Sequence, residues 1–91
     1  MEYEINGRMY KLDETCSACP EQYDAYLDGE IVGYFRLRHG YFTVEFCRNP
    51  DGVEVWEDVY NAQPKGDGIF EEDEREFYLM EGLKAIDSKI K

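Results

Sequence analysis

The chain is poor in what marks a catalytic centre, a membrane span or a nucleic-acid binder. Among its 91 residues it has one histidine, three cysteines and ten lysines and arginines against 21 aspartates and glutamates. No apolar run approaches the roughly 20 residues that span a bilayer. The start, Met1-Glu-Tyr-Glu, lacks the basic and apolar regions of a secretory signal. An odd number of cysteines rules out complete internal disulfide pairing and favours a reducing compartment, so a cytoplasmic location is expected, with no membrane association. A formal charge of −11 opposes a phosphate backbone and argues against nucleic acid as the partner; a basic protein partner, or self-association, is more in keeping with it.

Chemistry is scarce for the same reasons. Ser17 and Ser88 stand beside no evident base and orienting acid. Cys16-Ser-Ala-Cys19 has the spacing of half a zinc site, and only His39 and Cys47 offer further nitrogen or sulfur ligands. The strand order derived below puts those two at opposite ends of a hairpin, so no metal site is expected. Thiol exchange needs a stabilised thiolate, often at a helix N-terminus, whereas Pro20 and Gln22–Tyr26 lead into a strand. No calcium loop, phosphate loop or dinucleotide motif is found, and no cofactor is expected.

What is abundant is aromatic: eight tyrosines, five phenylalanines and one tryptophan, enough to fill a small core from few positions. The length fits one domain, residues 1–91. Turn signals at Asp28-Gly29, His39-Gly40 and Asn49-Pro50-Asp51-Gly52 divide Gln22–Tyr60 into four strand-length runs, and Asn6-Gly7 makes a hairpin that sets Tyr3 opposite Tyr10. Two-residue loops place Tyr23 opposite Tyr34 and Phe35 opposite Val44, with Asp13–Pro20 as a linker. Leu79, Leu83, Ile86 and Ile90 form one stripe of a helix beginning near Glu71, with Gly82 allowing close approach to the sheet. The fold class is therefore α+β: an antiparallel β-meander of about four strands with an N-terminal hairpin and a C-terminal helix on one sheet face.

Alternation assigns Tyr26, Ile31, Phe35, Leu37, Phe42, Val44, Phe46, Val53, Val55 and Val59 to the helix side, with Glu57 near an edge or bulge. The other side receives Tyr23, Ala25, Val32, Tyr34, Arg36, Arg38, Tyr41, Thr43, Glu45, Cys47, Glu54, Trp56, Asp58 and Tyr60. Aromatics and arginine concentrate in interface hot spots, so Tyr34, Arg36, Tyr41, Trp56 and Tyr60 are the candidate protein-binding residues. The alternative is that the N-terminal hairpin, with Tyr3, Ile5 and Tyr10, folds across this face and seals it. Phe77 points away from the helix stripe; it is either a further binding residue or, in the reading favoured here, turned into the core by a helix that starts later.

The segment Gly29–Val44 resembles the central strands of an N-acetyltransferase, which implies a minimal transferase as an alternative function. The acetyl-CoA loop of that family is absent, so no catalytic residue carries over. Cys19–Asp24, Gly33–Gly40 and Gly66–Phe70 resemble segments of small uncharacterised proteins of bacteria and their phages. The expected function is a noncatalytic protein-binding or regulatory accessory module. The alternatives are a transferase-like or thiol-active enzyme, and a phage-type inhibitor whose carboxylates mimic nucleic-acid charge.

Overall fold

In a computed structural model, which describes residues 1–16, 20–48 and 53–90, six antiparallel strands lie in chain order across one sheet. They are β1 (Glu2–Ile5), β2 (Arg8–Cys16), β3 (Glu21–Leu27), β4 (Glu30–Arg38), β5 (Tyr41–Arg48) and β6 (Val55–Ala62), followed by the helix α1 (Arg75–Ile90). The β1–β2, β3–β4 and β4–β5 turns have the left-handed backbone their sequences call for: Asn6, Asp28 and His39 sit at φ 51°, 53° and 55°, each followed by a glycine at φ 76–84°. Two consecutive positive φ values match the right-handed twist of the flanking strands. Tyr3 faces Tyr10 as expected. The Asn49–Gly52 turn and Cys19, with any Cys16–Cys19 bond, lie outside the described residues.

The N-terminal hairpin does not fold over the sheet. β2 pairs with β3, so the hairpin extends the sheet sideways and sends Ile5, Tyr10 and Leu12 to the helix side. The first half of the stretch expected as a linker, Asp13–Cys16, is strand, since β2 runs to Cys16.

Two bulges correct the expected faces. Tyr26 pairs with Ile31 but Ala25 pairs with Gly33, leaving Val32 as an extra residue in β4. Tyr23 therefore faces Phe35 rather than Tyr34, and Tyr23 and Ala25 are core residues. Tyr26 and Ile31 move to the outer side, because one inserted residue reverses every side chain beyond it. A second bulge leaves Val59 extra between the pairs Val44–Tyr60 and Glu45–Asp58. Tyr60 thereby joins the helix side, and Val53 and Val55 end up exposed at the sheet edge rather than in the core.

The core lies between the sheet and α1. Phe42 is its centre, with ring centroids of Phe35, Tyr60, Phe70 and Tyr78 at 5.9, 6.0, 5.0 and 6.0 Å. Leu79, Leu83 and Ile86 are fully buried, as their spacing predicts. Gly82 faces the sheet so closely that a Cβ there would lie 2.7 Å from Phe35 Cε2 and 2.9 Å from Val44 Cγ2. Both neighbours are stiff, so Gly82→Ala is expected to lower stability by about 1–2 kcal/mol, even though alanine gains about 1 kcal/mol of helix propensity. Chemical denaturation measures this directly, and a stabilised variant would show that the helix sits further from the sheet.

Buried carboxylates lock the layers together. Asp87 of α1 accepts hydrogen bonds from Asn6 Nδ2 (2.8 Å), Arg8 Nη1 (2.8 Å) and the Tyr10 hydroxyl (2.6 Å), joining the helix to the first hairpin. Burial alone would raise its pKa, but these donors and the Arg8 charge hold it below the ordinary carboxylate range. The regular helix begins at Arg75, one turn after the expected Glu71, and the turn before it is organised by Glu74. This side chain accepts from the backbone N–H groups of Lys65, Gly66 and Glu71, the last as in a capping box. Glu74 is thus buried, not part of a wholly solvated acidic run.

Candidate protein-binding face

With α1 on one side, the opposite side of the sheet has no element packed over it among the described residues. Bulk and charge alternate across it because every strand contributes its odd-facing residues to the same surface. Reading across the strands, Asp13 pairs with Asp24, Asp24 with Tyr34, Tyr34 with Glu45 and Glu45 with Asp58. The result is one row of carboxylates interrupted at its middle by a tyrosine. Asp24 is the most constrained of them: partial burial and then the neighbouring Asp13 push its pKa up.

Beside this row, Tyr34 and Trp56 line a shallow hollow of about 410 Å³ with Asp24, Ile31 and Glu45. Trp56 is 38% exposed and pairs with Cys47 of β5. The Arg36 guanidinium carbon lies 5.9 Å from the Tyr34 ring centroid, within cation–π range, which orients the arginine over the sheet. Further along, Arg36, Arg38, His39, Tyr41 and Thr43 surround a second hollow of about 230 Å³ at the β4–β5 turn, where Tyr41 is 56% exposed.

The structure thus brings Tyr34, Arg36, Tyr41 and Trp56 onto one open surface. It does not bring Tyr60 there: the ring stacks edge-on to Phe42 on the helix side. Phe77 stands apart as well. The helix does start later than expected, yet Phe77 is 59% exposed and touches only the edge of Tyr78 among the aromatic rings, so it does not turn into the core. Sequence reasoning missed Asp13, Asp24, Tyr26 and Ile31 as members of the outer face. The bulge at Val32 hides Asp24, Tyr26 and Ile31, while Asp13 becomes visible only once β2 is known to pair with β3.

The groups considered for chemistry have definite places in the fold. The Cys47 thiol is buried, and burial followed by the Glu54 charge pushes its pKa up, away from a reactive thiolate. His39 occupies a turn position with positive φ at the opposite end of β5 from Cys47. No group of three or more histidine, cysteine, aspartate or glutamate side chains is placed to hold a metal among the described residues. No helix among them is long and apolar enough to cross a membrane. No family model, curated protein or solved structure matches the chain.

Proposed function

We propose that the chain is a noncatalytic protein-binding module that docks a basic protein partner on the open sheet face. The observation that carries this reading is the row Asp13–Asp24–Tyr34–Glu45–Asp58 on an uncovered surface. Like charges directly opposite each other on neighbouring strands destabilise a sheet. Asp13 against Asp24 and Glu45 against Asp58 are two such pairs in one row, a cost that cationic side chains of a partner relieve. Tyr34 and Trp56 supply apolar area and hydrogen-bonding groups next to the charges, and Arg36 adds a fixed planar donor. The excess negative charge of the whole chain steers a basic partner towards the surface.

Two double variants separate the contributions. Asp24→Asn with Asp58→Asn is expected to slow association with a basic partner by about tenfold and to flatten its salt dependence. The same change is expected to leave folding stability unchanged or raise it by about 0.5 kcal/mol, since a repulsion is removed. Tyr34→Ala with Trp56→Ala is expected to accelerate dissociation by about tenfold or more. Binding to immobilised protein, with circular dichroism to verify the fold, measures both. Unchanged kinetics in both folded variants would reject this face as the interface.

A further inference from the structure

The sheet has a second feature that narrows the kind of partner: its β6 edge. β6 is eight residues long, pairs with β5 on one side and has no strand on the other among the described residues. The connection that follows it bonds elsewhere, with Gly68 O accepting from Glu21 N at the start of β3. The bulge at Val59 interrupts this edge, so its regular stretch is Val55–Asp58, which presents backbone donors and acceptors to another strand. The opposite edge, β1, runs from Glu2 to Ile5, and the turn after it is tied to α1 through Asn6 and Asp87.

The side chains along β6 choose the occupant. The row of carboxylates that crosses the outer face ends at this edge on Asp58, and Trp56 sits two residues before it on the same face. On a further strand the next position in that row falls directly opposite Asp58, where a cation is favoured and an anion is not. The neighbouring same-face position falls beside the exposed Trp56 and suits an apolar side chain. Glu57, on the helix side, is ion-paired with Arg48 and Lys89. A second copy of this chain fits poorly, because pairing β6 with itself sets Glu54 and Asp58 of one copy near those of the other at a net charge of −11 each.

We infer that β6 accepts an extended basic segment of the partner as a seventh strand, with alternating basic and apolar side chains on the outer face. This rests on the protein-binding reading above and specifies its geometry: main-chain bonds to β6 supply affinity, and Asp58 and Trp56 select the side chains.

The test uses the whole chain and a synthetic ten-residue peptide in which threonine alternates with lysine and isoleucine. Trp56 is the only tryptophan, so its emission reports binding at the edge itself. The expected result at low salt is a saturable change in emission together with slowed exchange of the β6 backbone amides. Two further peptides carry N-methyl groups on alternate amides, one in each register. The register that faces β6 is expected to bind about tenfold more weakly and the other to bind as the parent does, since only the first loses ladder hydrogen bonds. A glutamate-for-lysine peptide is expected not to bind.

Equal binding by both N-methylated peptides and the parent would overturn strand addition while leaving docking on the face intact; Tyr34→Ala would then still weaken the peptide. Loss of binding on N-methylation with no effect of Tyr34→Ala would support the edge as the peptide's site. No binding by the parent peptide at about 1 mM, or equal binding by the glutamate peptide, would overturn the inference. A concentration-dependent dimer that the peptide dissociates would replace the basic segment with a second copy as the occupant.

Discussion

Phe42→Ala is expected to lower the stability of the fold by about 4 kcal/mol, the middle of the range for truncating a buried aromatic. Phe42 is fully buried and meets four other rings, two of them from outside the sheet: Phe70 in the connection and Tyr78 in the helix. Removing it opens a cavity at the point where strand, connection and helix converge. Those three elements cannot collapse into the space together, because each is fixed elsewhere by its own hydrogen bonds. Phe42→Leu keeps most of the volume and is expected to cost about 1 kcal/mol or slightly more. Urea denaturation with an unchanged slope measures both as midpoint shifts. A loss below about 1 kcal/mol for the alanine variant would show that the ring is not central to the core.

The second large effect concerns Glu21, which is 1% exposed and carries a buried charge. Its carboxylate accepts from Arg75 Nε at 2.8 Å, from the Phe70 backbone N–H at 3.0 Å and from the Tyr23 hydroxyl. Burial pushes its pKa up, yet the bonds from Arg75, Tyr23 and Phe70 and the Arg75 charge outweigh burial and hold it below its ordinary value. Glu21→Ala leaves the Phe70 N–H and the Tyr23 hydroxyl buried without their acceptor and removes the partner of Arg75. The expected cost is about 3 kcal/mol at neutral pH, at the lower end for a broken buried pair because Arg75 is partly solvated.

The pH dependence has a definite sign. A carboxylate whose pKa is lower folded than unfolded contributes stability above its unfolded value, and loses it as pH falls through the folded one. Glu74 and Asp87 are depressed in the same direction, so the protein is expected to lose stability steadily as pH drops below about 4–5. The difference between the native chain and Glu21→Gln is expected to shrink over that window. A gap that stays constant to the acid limit would mean that Glu21 is not ionised in the folded protein.

How much of this was legible depended on the range of the interaction. Asn6-Gly7, Asp28-Gly29 and His39-Gly40 carry their turn geometry in adjacent residues, and the stripe Leu79–Ile90 carries its period within one helix. Those features were readable. The bulges at Val32 and Val59 were not, because a β-branched residue suits either side of a sheet and nothing local marks it as the extra one. That single missing residue placed Tyr23 outside and Tyr26 inside. Of the candidate site, Tyr34, Arg36, Tyr41 and Trp56 share the open face, since their pairing across β4, β5 and β6 is set on their own side of each bulge. Tyr60 lies beyond the second bulge and was lost to the core. Glu21 could not be recognised as a buried anchor, because Arg75 is 54 residues away and only the folded chain brings them together.

The strand order also bears on how the chain is made. Each strand meets its sequence neighbour, so the sheet can zip up hairpin by hairpin as synthesis proceeds. Its oily side, however, waits for α1, which follows all six described strands and is latched to the first hairpin through Asn6, Arg8 and Tyr10, as many as 81 residues earlier in the chain. At about 5–20 residues per second, several seconds separate the first hairpin from its lid. During that interval a half-wetted sheet with an open margin emerges from the ribosome, and its surplus of like charge keeps such nascent chains apart.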